Sequence, residues 1–126
     1  MQKYRILTNN PMVRDKYPDI VDFFDVDAEG VLIRVRDLVH LGAGILNHPL
    51  SGDVLPGVCP YKSIIVSERD GIGSFSTDHR ALSLIESAIG ALVRPPDGFK
   101  GYDEAVLDDF RVLDLDLLDS AIGTLI

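Results

Sequence analysis

The sequence has one cysteine, no tryptophan and no long apolar run. A single cysteine excludes an internal disulfide and any zinc site that needs several thiolates. No apolar stretch approaches the roughly 18 residues that a membrane-spanning helix requires. The N-terminus reaches the polar residues Thr8, Asn9 and Asn10 too early for a secretory signal peptide. These absences predict a cytoplasmic protein that does not insert into a membrane.

Basic residues are scarce as well. The chain has 12 lysines and arginines against 20 aspartates and glutamates, which gives a formal net charge of -8. A charge of this sign repels phosphate backbones, so we expect no nucleic-acid partner. The chain has 126 residues, of which 46% are hydrophobic. This length predicts a single domain over residues 1–126 that buries its own core.

The common phosphate and hydrolase motifs are missing. The sequence contains no G-x-x-x-x-G-K-[ST], no G-x-G-x-x-G after a strand and no G-x-S-x-G. Their absence argues against an ordinary nucleotide site and against an α/β-hydrolase site. The three histidines lack the short spacings of metal-binding pairs. We therefore expect no metal and no cofactor.

Strand-like and helix-like segments alternate over the first 93 residues. Apolar runs predict strands, a stripe at helical spacing around Leu32, Val35 and Val39 predicts a helix, and Asn10 and Asp27 are suited to cap helices. This alternation is typical of an α/β protein, and we expect a small three-layer α/β/α sandwich. The sheet should be mostly parallel, with about four strands in the order 2-1-3-4. The predicted strands are 4–8, 20–26, 45–46 and 63–67, and the predicted helices are 11–17, 28–41 and 77–93.

The C-terminal segment 97–126 has a different composition, with eight acidic and two basic residues. The alternation over 113–117 fits a strand, but Asp114 or Asp116 could equally cap a helix over 117–125. If the whole segment is one helix, two opposite faces are apolar. One has Val106, Phe110, Leu113 and Leu117, and the other has Leu115, Leu118 and Ile122. This surplus of apolar surface predicts docking on the body of the protein or on a second subunit, most simply in a homodimer.

Ligands of parallel α/β sheets bind beyond the carboxyl ends of the strands. This rule selects residues 9–10, 47–53 and 67–69. His48 follows a strand and precedes Pro49, and its ring could act as a catalytic acid or base or carry a switchable positive charge. Asn9 offers a side-chain amide, whereas Asn10 is more simply a helix cap. The predicted ligand-binding residues are Asn9, Asn10, His48, Ser51, Gly52 and Lys62.

Two of these residues form a separate feature. Ser51 and Gly52 could build a small anion-binding nest from backbone N–H groups. The prolines of the loop 48–60 predict that it is ordered and forms one wall of the principal pocket. A second polar cluster is predicted on one helical turn, formed by Arg36, Asp37 and His40.

Four segments together resemble the GrdX family, small proteins encoded with the glycine, sarcosine and betaine reductase components of anaerobic bacteria. The resemblance lies in residues 8–11 (TNNP), 36–42 (RDLVHLG), 46–52 (LNHPLSG) and 60–63 (PYKS). It implies a cytoplasmic setting in anaerobic amino-acid metabolism, with a reductase component as a potential partner. It implies no mechanism.

Two functions of different class follow. The first is a non-catalytic accessory protein that binds a small anionic metabolite at the strand ends. The alternative is a small enzyme that performs phosphoryl or acyl chemistry on such a metabolite, with His48 as acid or base. The first is preferred because the residues provide no complete catalytic constellation.

Overall fold

A computed structural model describes residues 4–50, 58–67, 78–92 and 101–125. Within these ranges the chain forms a mixed α/β fold with three strands and four helices. In chain order they are β1 (Tyr4–Thr8), α1 (Pro11–Lys16), β2 (Val21–Phe23), α2 (Ala28–His40), β3 (Ser63–Ser67), α3 (His79–Ala91) and α4 (Glu104–Leu125).

The helices begin where the sequence supplies acceptors for their free N–H groups. Asn10 accepts from the backbone N–H of Met12 at α1, and Asp27 accepts from Gly30 at α2. Asp78 caps α3, which is slightly shorter than the predicted helix 77–93. The predicted strand 20–26 is also shorter, because it forms ladder pairs only over Val21–Phe23.

The strands lie in the order β2-β1-β3. β1 is parallel to β2 but antiparallel to β3, so Thr8 pairs with Ser63 and Tyr4 pairs with Ser67. The expected sheet of four mostly parallel strands is therefore not what the described residues form. The apolar run of β3 is buried on both faces, and such a run fits a central strand of either direction.

The predicted strand 45–46 is reduced to one bridge. Ile45 pairs with Val66 on the edge of β3 that faces away from β1. β3 therefore lies between β1 and this bridge, so the last two predicted strands stand in the reverse of the predicted order 2-1-3-4. Backbone pairing with β3 does not continue along this segment, because the side chain of Asn47 binds the next backbone groups of β3. The Asn47 Nδ2 donates to Ser63 O at 3.1 Å, and its Oδ1 accepts from the N–H of Ile65 at 2.7 Å.

Helices cover both faces of the sheet. On one face, Leu7 and Ile64 pack with buried residues of α2 and α3 such as Val35 and Ile85. On the other face, Ile6 and Ile65 pack with α1 and α4. Alternating side chains of one strand thus enter two separate cores.

α4 resolves the open question about the C-terminal segment, because it is one continuous helix. Asp103 accepts from the N–H of Val106 at 2.9 Å at its start. Leu118 and Ile122 are buried against the sheet and Leu115 packs beside them, so this is the face that docks on the body. The alternation over 113–117 therefore does not mark a strand. α4 and the other helices described lack the combination of length and apolar content that crossing a membrane requires.

Candidate functional site

The antiparallel direction of β3 changes which segments meet at the carboxyl end of β1. Ser63 lies beside Thr8, so Lys62 and Ser63 stand next to Asn9 and Asn10. Ser67 lies at the opposite end of the sheet. The expectation that Ser67 joins the ligand-binding edge is therefore wrong, and the start of β3 takes its place. Residues 68 and 69 of the same predicted segment lie outside the described residues.

A small polar cleft opens between the start of β3, the segment 47–49 and α4. We call it the Lys62 cleft. Its volume is about 30 Å³, which is space for about two water-sized atoms. Two of the predicted site residues, His48 and Lys62, line it. The full lining is Asn47, His48, Pro49, Lys62, Ser63, Asp114, Leu117, Leu118 and Ala121.

A chain of hydrogen bonds ends on the Asp114 carboxylate in this cleft. Ser63 Oγ donates to Asp114 Oδ2 at 2.7 Å. The Thr8 hydroxyl, 2.7 Å from Ser63 Oγ, is consequently the donor to Ser63 and itself accepts from the backbone N–H of Asn10 at 2.9 Å. Each hydroxyl proton is thus directed along the chain towards Asp114. This arrangement joins α4 to the edge of the sheet.

Asn10 is both the predicted helix cap and a cross-link to α4. Its Oδ1 accepts from the N–H of Met12 at 3.0 Å. Its Nδ2 donates to Arg111 O at 2.9 Å and to Asp114 Oδ2 at 3.0 Å. The side chain is fully buried. Both hydrogens of the amide are therefore used within the protein.

The Asn9 amide ties three segments together. Its Nδ2 donates to Val26 O and to Pro60 O, both at 2.9 Å, and its Oδ1 accepts from the N–H of Lys62 at 2.9 Å. Both amide hydrogens bind backbone carbonyls, so they are used within the protein. The contribution of Asn9 to the site is to hold the backbone of Lys62 in position. Lys62 itself is 4% exposed.

His48 is exposed at the rim of the cleft. Its Nδ1 accepts from the backbone N–H of Leu50 at 3.1 Å, so the neutral ring carries its hydrogen on Nε2. Pro49 is buried beside it. Ser51 and Gly52 lie outside the described residues, as does most of the loop 48–60. The loop 48–60 is predicted to form one wall of the principal pocket, and its residues His48 and Pro49 line the cleft.

The sequence matches the family model described as GrdX-like protein over residues 5–123. The chain belongs to the GrdX-like protein family. The matched range contains every residue that lines the Lys62 cleft. Comparisons with curated proteins and with solved structures gave no match.

Two further residues, Arg111 and Asp119, hold α4 of this GrdX-like protein against the body of the fold. Arg111 donates to the Tyr61 hydroxyl at 3.0 Å and also binds Glu104. Hydrogen bonds first to Glu104 and then to Tyr61 raise the pKa of Arg111 above its usual value. Nearer the C-terminus, the Asp119 carboxylate accepts from Lys16 Nζ at 2.7 Å and from the Tyr17 hydroxyl.

The second predicted cluster has a different arrangement. Arg36 lies 3.6 Å from Glu86 of α3, so it links the two helices of one layer. Asp37 and His40 are exposed on α2. Among the residues that the structure describes, no group of three His, Cys, Asp or Glu side chains is placed to hold a metal ion.

A larger apolar groove of about 240 Å³ lies at the other end of the sheet, next to Leu38, Leu41 and Val66. Two charged side chains line it, and Arg5 donates two hydrogen bonds of 2.9 and 2.8 Å to the carboxylate of Asp22. This bidentate pairing offsets the charge of Arg5. The Lys62 cleft, although it is smaller, brings His48 and Lys62 together with the polar side chains of Asn47 and Ser63, so we consider it the better candidate for a charged ligand.

Proposed function

We propose that this GrdX-like protein is a non-catalytic, cytoplasmic accessory protein that binds a small carboxylate in the Lys62 cleft. The family resemblance supports a role beside the glycine, sarcosine and betaine reductase components. The observation that carries the binding role is the convergence of Lys62 and His48 on one small polar cleft at the end of β1.

The charge of the cleft supports an anion as the ligand. The mostly buried Lys62 brings a positive charge into an environment where electrostatic attraction is stronger than in water. Asp114 opposes an incoming anion, but Ser63 and Asn10 already donate hydrogen bonds to one of its oxygens. Binding should therefore depend strongly on Lys62, with a smaller contribution from His48 at the rim.

The size of the cleft supports a carboxylate over larger anions. Space for about two water-sized atoms matches the two oxygens of a carboxylate. A phosphate, with four oxygens, fits a cleft of this volume less well. For acetate, with four non-hydrogen atoms, the usual limit of about -1.5 kcal/mol per atom restricts the dissociation constant to about 40 μM or weaker.

The hydrogen bonds of the cleft favour binding over catalysis. Ser63 donates to Asp114 Oδ2, but this oxygen also accepts from Asn10 Nδ2, which makes the carboxylate a weak base for activating the Ser63 hydroxyl. The Thr8 hydroxyl donates to Ser63 and not to a base. His48 uses Nδ1 to hold the N–H of Leu50. The alternative enzyme would need a nucleophile next to the free Nε2 of this ring.

Calorimetric titration tests the proposal with formate, acetate, glycine and inorganic phosphate as probes. We expect formate or acetate to bind the wild-type protein more tightly than phosphate does. Lys62→Met keeps the aliphatic volume but removes the charge, and it should weaken binding at least about tenfold. The matched control is Arg80→Met, which removes the same charge from an exposed position on α3 and should leave binding unchanged.

Equal affinity of the wild type and Lys62→Met for every probe would contradict the proposal. The enzyme alternative makes a different prediction. If the protein hydrolyses acetyl phosphate and His48→Ala abolishes the turnover, the catalytic function is favoured instead.

A further inference from the structure

We propose that α4 docks a cationic, amphipathic helix of another protein on the face that points away from the sheet. This outer face consists of Val106, Asp109, Val112, Leu113 and Asp116. It lies on the opposite side of α4 from the buried residues Leu118 and Ile122, and it is separate from the Lys62 cleft. The proposal does not depend on carboxylate binding.

The outer face exposes three large apolar side chains. Val106 is 37% exposed, and Val112 and Leu113 are each 43% exposed. The spacing of Val106, Asp109, Leu113 and Asp116 is three, four and three residues. This is the spacing of the a and d positions at which helices pack along one another, with one of the two positions apolar here. In this pattern Val106 and Leu113 occupy one position of the heptad, and Asp109 and Asp116 occupy the other.

The two aspartates determine the chemistry of the partner. Asp109 and Asp116 are exposed and stand one heptad apart, in line with the apolar side chains. A helix that covers Val106 and Leu113 must also cover these carboxylates. Burial of a carboxylate is unfavourable unless a cation compensates it. A partner helix with lysine or arginine at the facing positions and leucine or valine between them supplies that compensation.

A second copy of the chain fits this face poorly. Self-association through the C-terminal segment stays a prediction, motivated by the apolar residues Leu113, Leu115, Leu117, Leu118 and Ile122. Of these, Leu115, Leu118 and Ile122 pack in the core of their own chain, whereas Leu113 is exposed. α4 contains six acidic residues and one basic residue, Arg111, which already binds Tyr61 and Glu104. Two copies of the outer face would place aspartates against aspartates or against apolar side chains, within proteins that each carry a net charge of -8.

Fluorescence anisotropy tests the proposal with a labelled peptide of 21 residues, in which leucines and lysines follow a heptad pattern. We expect this peptide to bind the full chain, more weakly as salt increases. Asp109→Asn combined with Asp116→Asn should raise its dissociation constant at least about fivefold. The control combines Asp25→Asn with Asp37→Asn, which removes two exposed charges from other surfaces and should change the constant less than about twofold.

Leu113→Ser should weaken the same peptide as well, because the leucines contact this residue. The proposal is overturned if the peptide does not bind, if both double variants weaken it equally, or if oligolysine of the same length binds as tightly as the peptide. It is also overturned if sedimentation velocity shows a wild-type dimer that Leu113→Ser dissociates, because a second copy would then occupy the face.

Discussion

Asn10→Asp separates the two structural roles of Asn10. As a helix cap, aspartate is as good as asparagine, so a cap alone predicts almost no change in stability. In the structure, however, the Asn10 amide nitrogen donates to Arg111 O at 2.9 Å and to Asp114 Oδ2 at 3.0 Å. The substitution replaces this donor with a carboxylate oxygen that faces two acceptors.

The expected loss of stability follows from these contacts. Two carboxylates about 3 Å apart cannot both stay ionised, so one of them must bind a proton. For a carboxyl with a usual pKa near 4, this proton costs about 4 kcal/mol at pH 7. The lost hydrogen bond to Arg111 O adds about 1 kcal/mol. Asn10→Ala, which removes the cap and two further hydrogen bonds, should lose about 3 kcal/mol.

The pH dependence distinguishes the two variants. The carboxyl that takes up the proton has a raised pKa in the folded state, so its destabilising effect is present at high pH and fades as the pH falls below the usual value near 4. Urea denaturation followed by far-UV circular dichroism, at about pH 7 and about pH 3.5, measures the free energy of unfolding.

We expect Asn10→Asp to approach the wild type at the lower pH, whereas Asn10→Ala stays destabilised. The combination of Asn10→Asp with Asp114→Asn restores a donor and an acceptor and should recover part of the loss at pH 7. An Asn10→Asp protein as stable as the wild type at pH 7 would refute the cross-link between Asn10 and α4.

Three other outcomes test separate parts of the structure. Leu118→Ala should lower the free energy of unfolding by about 2–4 kcal/mol because Leu118 is buried. Leu113→Ala should lower it by less than about 0.5 kcal/mol because Leu113 is exposed. Similar losses for the two variants in urea denaturation would contradict the orientation of α4. Burial opposes ionisation of Asp119, but hydrogen bonds from Lys16 and Tyr17 outweigh this effect and lower its pKa. Asp119→Asn should therefore destabilise the protein at pH 7 and match the wild type once the pH falls below the folded-state pKa of Asp119. A difference in stability that does not change with pH would refute this pairing. His48→Ala should weaken acetate binding, whereas the control His40→Ala should not, because His40 is exposed on α2; equal affinity of His48→Ala and the wild type would exclude His48 from the site.

The parts of the fold with local signals could be predicted from the sequence. Asn10 and Asp27 cap the predicted helices, and Val35 and Val39 form part of the buried stripe of α2. The direction of β3 could not be predicted, because an apolar strand buried on both faces has the same pattern when reversed. The sequence also gives no distinct sign that the side chain of Asn47 ends the strand pairing at Ile45, since asparagine is common in turns.

The candidate site shows the same division. His48 and Lys62 could be selected because each stands next to a predicted strand, and both line the cleft. The contact between Ser63 and Asp114 joins residues that are 51 positions apart. Nothing local marks it, because Asp114 lies in an alternating segment that fits a strand as well as a helix. Only the packed position of α4 makes Asp114 part of the site.

The most direct test of carboxylate binding in the Lys62 cleft is a titration of the isotope-labelled protein with acetate, followed by two-dimensional amide NMR. We predict saturable shift changes for the amides of Asn47, His48, Lys62 and Ser63, and their loss in Lys62→Met. Shift changes confined to the groove beside Leu38, or no saturable change at millimolar acetate, would contradict the proposed site.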